Sequence, residues 1–114
     1  MDVKQVARRG QMGAQQQEID QVDLDGVEMV TVLQALSDPV RLEIVRQLAC
    51  GTAMPCGQVR LDVTKSTASH HFKTLRLAGV IAQQDEGTRR NTWLRRDELD
   101  SRFPGLLDAV LHEG

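Results

Sequence analysis

Thr64-Lys65-Ser66-Thr67-Ala68-Ser69-His70-His71-Phe72-Lys73-Thr74-Leu75-Arg76-Leu77-Ala78-Gly79 is the stretch whose reading decides the fold. Thr64 is a residue type that caps helices, because its hydroxyl can accept from an unpaired amide of the first turn. Gly79 is a stop signal. Between them the spacing predicts a helix over 65–78. On a wheel of about 3.6 residues per turn, Ala68, Phe72, Leu75 and Gly79 fall in one narrow arc and should face a core. Ser66, His70 and Lys73 lie roughly opposite, flanked by Ser69, Thr74 and Arg76. The outer face therefore carries small hydroxyls, an imidazole and cations. Small side chains let a helix backbone approach a groove, hydroxyls bond bases or phosphates, and cations neutralise phosphates. An ordinary solvated helix face would show the same residues, so the neighbouring segments have to decide.

Upstream, residues 56–61 are expected to make a short helix and Asp62-Val63-Thr64 a tight turn. Short helix, turn and longer helix is the outline of a helix-turn-helix. Downstream, Val80-Ile81-Ala82-Gln83-Gln84 and 88–94 read as strands around the turn Asp85-Glu86-Gly87. Arg89, Arg90 and Asn91 lie near the tip of that hairpin, where a core role is not expected. A helix-turn-helix followed at once by a hairpin is a winged helix. Its helix enters a major groove while the hairpin tracks the backbone or minor groove. With one Trp, two Phe and no Tyr, the chain lacks the stacking rings of single-strand binders, and Trp93 is read as packing the wing. Duplex DNA is the expected partner, through Lys65, Ser66, Thr67, Ser69, His70, Lys73, Arg76, Arg89 and Arg90.

Further out, Met29, Leu33 and Leu36 mark a first helix over 27–36. Asp38-Pro39 starts a second, with Asp38 as cap and Pro39 at the first helical position, running to about Cys50 before Gly51. Asp97 is expected to cap a short turn over 97–102. Pro104 should then start a last helix, whose apolar stripe is Phe103, Leu106, Leu107, Val110 and Leu111. Residues 1–22 are Gln-rich and poor in apolar positions, and read as a mobile arm or a loosely formed helix. The expected organisation is thus an arm over 1–22 and one domain over 23–114, mainly α with a β-hairpin wing.

The 114 residues suit one binding domain better than an enzyme with its own cleft. No phosphate-binding glycine loop, nucleophile elbow or acid–base pair is evident, and no cofactor is expected. No apolar run reaches the ~18 residues that suggest a membrane span. Met1 to Val22 has no apolar stretch of a secretory signal, so a cytoplasmic location is expected. The net charge of −2 is unevenly spread. Residues 1–54 carry five Lys/Arg and eight Asp/Glu, 55–96 carry eight and three, and 97–114 carry one and five. The basic block coincides with the helix-turn-helix and wing, and phosphate binding follows the local field rather than the total.

Three stretches together resemble the ArsR/SmtB family of bacterial repressors. They are Leu36-Ser37-Asp38-Pro39-Val40-Arg41-Leu42-Glu43-Ile44, the run from Lys65 through Gly79-Val80-Ile81, and the Arg-rich wing ending at Trp93-Leu94. The likeness spans roughly 27–111. It implies a homodimer joined through the first and last helices, with Met29, Leu33, Phe103, Leu106, Leu107, Val110 and Leu111 at the interface. It also implies a palindromic operator and repression that an inducer relieves.

The chain departs from the family's known metal sites. Where one type has a Cys-x-Cys pair, this chain has Cys56-Gly57-Gln58. Where another has Asp and His pairs on the last helix, Asp108, His112 and Glu113 do not match the spacing. No metal site is assigned. Cys50 and Cys56 bracket the loop after the second helix and are candidates for a thiol switch. Two alternatives remain beside it: soft-ion or metalloid sensing by thiolates, and two small buried apolar residues. A winged helix used for protein contacts is the competing reading of the whole chain.

Overall fold

The hydroxyl of Thr64 accepts from the backbone N–H of Thr67 at 3.2 Å, and the predicted helix begins there. The computed structural model describes residues 16–18, 21–50, 54–55 and 58–112, the two short stretches by backbone alone. In chain order the elements are β1 (Gln16–Glu18), a 3-10 turn (Leu24–Gly26), α1 (Met29–Leu36), α2 (Pro39–Ala49) and β2 (Met54–Pro55). After them come α3 (Lys65–Leu77), β3 (Ile81–Glu86), β4 (Arg89–Leu94), α4 (Arg96–Arg102) and α5 (Leu106–His112). Five helices with an antiparallel hairpin directly after α3 make a winged helix-turn-helix, as expected.

The core lies between the helices and the base of the hairpin. Val32, Ala35 and Leu36 of α1 meet Ile44, Val45 and Leu48 of α2, Phe72 and Leu75 of α3, and Val80 and Ile81. Each fully buried Leu, Ile or Phe contributes about 1.5–3 kcal/mol relative to leaving it in water. Gly79 ends α3 at φ +82°, a backbone region that favours glycine. It also sits under the segment before α1: a Cβ there would run into Leu24 Cδ2 and lie 3.2 Å from Val22 Cγ2. The same segment is clamped from the other end of the chain. Arg95 donates to the Val22 carbonyl at 2.8 Å, and Arg102 donates to those of Leu24 and Val27 at 3.1 and 3.0 Å.

Several boundaries differ from the sequence reading. Of the short helix expected over 56–61, Cys56 and Gly57 lie outside the described residues, and 58–61 contain no α-helical turn beyond 3-10 geometry at Gln58. The reason is Gln47 of α2. Its amide accepts from the Arg60 N–H at 2.9 Å and donates to the Arg60 carbonyl at 2.8 Å, so both backbone groups are satisfied without a helix. The hairpin turn is Gly87-Thr88 rather than Asp85-Glu86-Gly87, because β3 continues to Glu86 and pairs it with Arg89. Residues 96–102 form a helix, not a short turn. Its cap position is Arg95, while Asp97 lies in the first turn, where its charge suits the helix dipole. Pro104 and Gly105 form a turn, and the last helix starts at Leu106.

The hairpin is the centre of a four-stranded antiparallel sheet ordered β1-β3-β4-β2. Gln16–Glu18, within the expected arm, is therefore a strand. β3 offers it an edge of unpaired N–H and C=O groups, and Gln16, Gln17 and Glu18 pair with Glu86, Asp85 and Gln84.

Candidate nucleic-acid interface

α3 starts in a cluster of hydroxyls. Thr64 Oγ1 caps the helix and also lies 3.0 Å from Thr67 Oγ1 and 3.5 Å from Ser66 Oγ. All three residues are exposed at the positive end of a helix dipole. Lys65, Ser69, His70 and Lys73 are exposed as well, while Arg76 is half-buried. The described ion pairs involve Arg46, His71, Arg90, Arg95 and Arg96, and neither Lys65 nor Lys73. The α3 face thus presents hydroxyls at one end and cations along its length. Thr64 is more than the cap its residue type suggests, since its exposure places it in this cluster. Leu77, on the same arc as Ser66 and Lys73, is exposed too and carries no signal beyond its wheel position.

Arg41 holds this helix in place. Its Nε donates to the Ala35 carbonyl at 2.6 Å and its Nη2 to that of Gln34 at 3.4 Å, closing the C-terminal end of α1. Its Nη1 lies 3.1 Å from His71 Nδ1 on α3. A guanidinium only donates, so in this contact Nδ1 of His71 is on the accepting side. Asp38 stands behind the pair, 4.0 Å from His71 Nδ1, and caps α2 by accepting from Val40 and Arg41 N–H at 2.8 and 3.1 Å. The Arg41 backbone hydrogen bond holds the Asp38 carboxyl below its ordinary value against the opposing effect of desolvation. As expected of adjacent helical residues, His70 and His71 diverge: His70 faces out and His71 faces the protein. Sequence reasoning alone does not assign Arg41 this role. Its signal is a cation in the first turn of a helix, where the dipole disfavours it and another partner is needed.

The wing is arranged differently. Its base is held by Gln83, which donates to Thr92 Oγ1 at 3.2 Å, both side chains being buried. Toward the tip, Arg90 grips Asp85 with two bonds, Nε–Oδ1 at 2.7 Å and Nη2–Oδ2 at 3.2 Å. The Arg90 hydrogen bond holds the Asp85 carboxyl below the usual carboxylate range. Asn91 donates to Glu86 at 2.8 Å. Arg89 is exposed, with Glu86 opposite it in register.

The residues expected at a dimer interface divide. Met29 and Leu33 are exposed at 47% and 43%, joined on α1 by Val30 at 53%, which the helical spacing does not single out. Phe103 and Leu107, at 5% and 1%, are already buried within the chain by α4 and the core, so they have no surface left to offer a partner. Leu106, Val110 and Leu111 are half-buried against that core. Cys50 is exposed as a free thiol at the end of α2, its Sγ 3.5 Å from the Arg46 carbonyl, and Cys56 lies outside the described residues. Among the described residues no group of three or more His, Cys, Asp or Glu could hold a metal ion, and no helix is long and apolar enough to cross a membrane.

A family model described as a helix-turn-helix domain matches residues 36–84, from the end of α1 to the middle of β3. The chain is 34% identical over 74 residues to an arsenical resistance operon repressor of Staphylococcus xylosus, covering 64% of this chain and 71% of that protein. The chain belongs to the ArsR family of helix-turn-helix transcriptional repressors. The Staphylococcus aureus protein of the same description is 32% identical over 80 residues, covering 69% of this chain and 77% of its own length. An HTH-type transcriptional regulator of Bacillus subtilis strain 168, YceK, is 39% identical over 82 residues, covering 69% and 82%. As an ArsR-family member the chain is a non-enzymatic regulator, and the matched residues include the whole of α3 and the Asp38–Arg41–His71 contacts that seat it.

Proposed function

We propose that this protein binds a specific duplex operator as a homodimer and represses transcription until an inducer releases it. The observation that carries the reading is the outer face of α3, where exposed hydroxyls cluster at the helix start and Lys65 and Lys73 have no carboxylate partner among the described residues. The hydroxyls and His70 suit base edges and phosphates, and the lysines suit phosphates. The exposed apolar side chains Met29, Val30 and Leu33 on α1 supply the dimer face, with Leu106, Val110 and Leu111 of α5 at its margin. Two-fold symmetry then calls for a palindromic site with half-sites about one helical turn apart. Such a repressor works in the cytoplasm.

The test is fluorescence anisotropy on duplex DNA from the gene's own upstream region. We expect tight binding whose logarithm falls linearly with the logarithm of salt concentration. No binding, or binding indifferent to salt, would overturn the reading and favour a protein-interaction module. Leu33→Glu should give a monomer by light scattering with its circular dichroism unchanged. An intact dimer would remove α1 from the interface. Leu107→Glu is no test of assembly, because it would bury a carboxylate inside the chain and report folding instead.

The inducer is assigned to the thiols. Cys50 is exposed at the C-terminal end of α2, and Cys56 follows six residues later in the sequence. Oxidation, or an arsenite-like soft ion held by the two thiolates, would pull on the segment that Gln47 anchors at Arg60. In the same titration, peroxide or arsenite should release DNA from the native protein and leave a Cys50→Ser, Cys56→Ser variant bound.

A further inference from the structure

In a two-fold repressor the two recognition helices must reach major grooves about one helical turn apart, roughly 34 Å. Their separation depends on how α3 is fixed, within each chain, to the helix that carries the dimer face. In the assembly proposed above that helix is α1, through Met29, Val30 and Leu33. Two contacts fix α3 against it, and they lie at opposite ends of α1. At its start, Gly79, just past the end of α3, packs under Leu24 and Val22 of the segment that leads into α1. At its end, Arg41 donates to the carbonyls of Ala35 and Gln34, and its Nη1 lies 3.1 Å from His71 Nδ1 on α3. His71 and Gly79 are eight residues apart, and α1 is eight residues long, so each span is about 12 Å of helix. Between the two points the helices meet through Val32, Ala35 and Leu36 against Phe72 and Leu75. Such apolar contacts hold helices together but are not directional. The Arg41 fork is directional, and the imidazole it meets is only 12% exposed, with Asp38 4.0 Å from the same nitrogen. Lys65 to His70, the part of α3 that begins in the hydroxyl cluster, extends beyond this contact. A tilt of α3 about Gly79 therefore moves those residues most.

We propose that Arg41, with His71 opposite it, is a positioning residue that ties the recognition helix to the dimer helix and so sets the half-site spacing the protein accepts. The inference rests on the operator and dimer reading above. Adding or removing one base pair between half-sites moves one of them by about 3.4 Å and about a tenth of a turn. An α3 held at both ends of α1 does not follow that shift. An α3 held only at Gly79 does, and it then reads neighbouring spacings almost as well as the right one.

The experiment measures anisotropy on three duplexes: the operator mapped by footprinting, and the same operator with one base pair added or removed at its centre. The native protein should bind the altered duplexes at least tenfold more weakly. Two variants break the tie from opposite sides. Arg41→Lys keeps the charge and can still meet the α1 carbonyls, but a single ammonium lacks the fork that spans both partners. His71→Leu leaves Arg41 on α1 and removes its partner on α3. In both, discrimination should shrink to about two- to threefold while the oligomeric state and circular dichroism spectrum stay native. Affinity for a scrambled duplex, which depends on charge at the surface, should fall far less than affinity for the operator. His71→Gln restores an acceptor and should recover part of the discrimination. Native discrimination in Arg41→Lys and His71→Leu would overturn the inference and leave the operator reading standing. So would variants that lose their dichroism or their assembly along with binding, because the pair would then be holding the fold rather than the spacing. A native chain that binds no duplex, or that is monomeric, would instead sink the operator reading itself.

Discussion

Helix α3 and the wing carry similar residues and treat them in opposite ways. On α3 the outward cations Lys65 and Lys73 take part in none of the described ion pairs, and the contacts that seat the helix are made on its other side, by Arg41 and Asp38 against His71. On the wing, Arg90 is exposed but folded back onto Asp85, and the next polar pair, Asn91 with Glu86, closes the tip. The difference shows that exposure alone does not make a phosphate ligand. A cation serves DNA at full strength only where its own fold offers it no anion. In the proposed operator complex the α3 face would be ready to bind, whereas the wing would first have to exchange one carboxylate for another anion.

That comparison ranks the substitutions. The largest effect belongs to Lys73→Glu, which replaces an unengaged cation in the middle of the α3 face. We expect at least a tenfold loss of duplex affinity, about 1.4 kcal/mol, with the oligomeric state and the circular dichroism spectrum unchanged. Native affinity in this variant would mean that α3 does not face DNA, and the contrast with the wing would lose its basis.

The support behind α3 comes next. Asp38→Ala removes the cap of α2 and the carboxylate behind His71, and should lower unfolding stability by about 1 kcal/mol in urea titration. The folded-state depression of Asp38 also fixes the pH dependence. Its stabilising contribution is present above the ordinary carboxylate value of about 3.8 and is lost as pH falls through the lower folded value. The gap between native and Asp38→Ala protein should therefore hold from pH 7 to 5 and close below about 4. A gap that stays constant down to pH 3 would show that the Asp38 charge is not what stabilises the cap.

Much of this division is legible in the sequence, and what is not has a common cause. Thr64, Asp38-Pro39 and Gly79 set the ends of helices through contacts with their near neighbours, so residue type and spacing suffice to find them. The outer face of α3 follows from the same periodicity. Residues 58–61 depart from the expected helix because the group that replaces their helical hydrogen bonds, the Gln47 amide, lies thirteen residues from Arg60. Phe103 and Leu107 pass for dimer residues in the sequence because an apolar stripe does not say whether its cover is α4 and the core or another chain. The bond from Arg90 to Asp85 depends on the hairpin turn being Gly87-Thr88, since that register sets the two residues opposite each other. Each of these differences concerns a long-range partner or a register, which local spacing does not encode.

The smallest effects lie on the wing and sharpen the contrast most. Removing the Arg90 charge by Arg90→Ala should cost only a few-fold in duplex affinity, because the native side chain gives up Asp85 in order to meet a phosphate. Asp85→Asn should act in the other direction. It keeps the shape of the pair, removes the competing charge and leaves Arg90 available, so affinity should rise about two- to threefold, roughly 0.5 kcal/mol, at low salt and fade as salt screens it. Its effect on folding should be slight, since exposed ion pairs contribute about 0–1 kcal/mol. Lowering the pH within the working range is no substitute for this substitution. Asp85 is held below its ordinary value by the Arg90 hydrogen bond, so it stays ionised throughout that range, and the gain should be the same at pH 5 and pH 8. If Asp85→Asn weakens binding instead, the Asp85–Arg90 pair is holding the wing in its binding shape, and the wing ranks with α3 as a preformed contact surface.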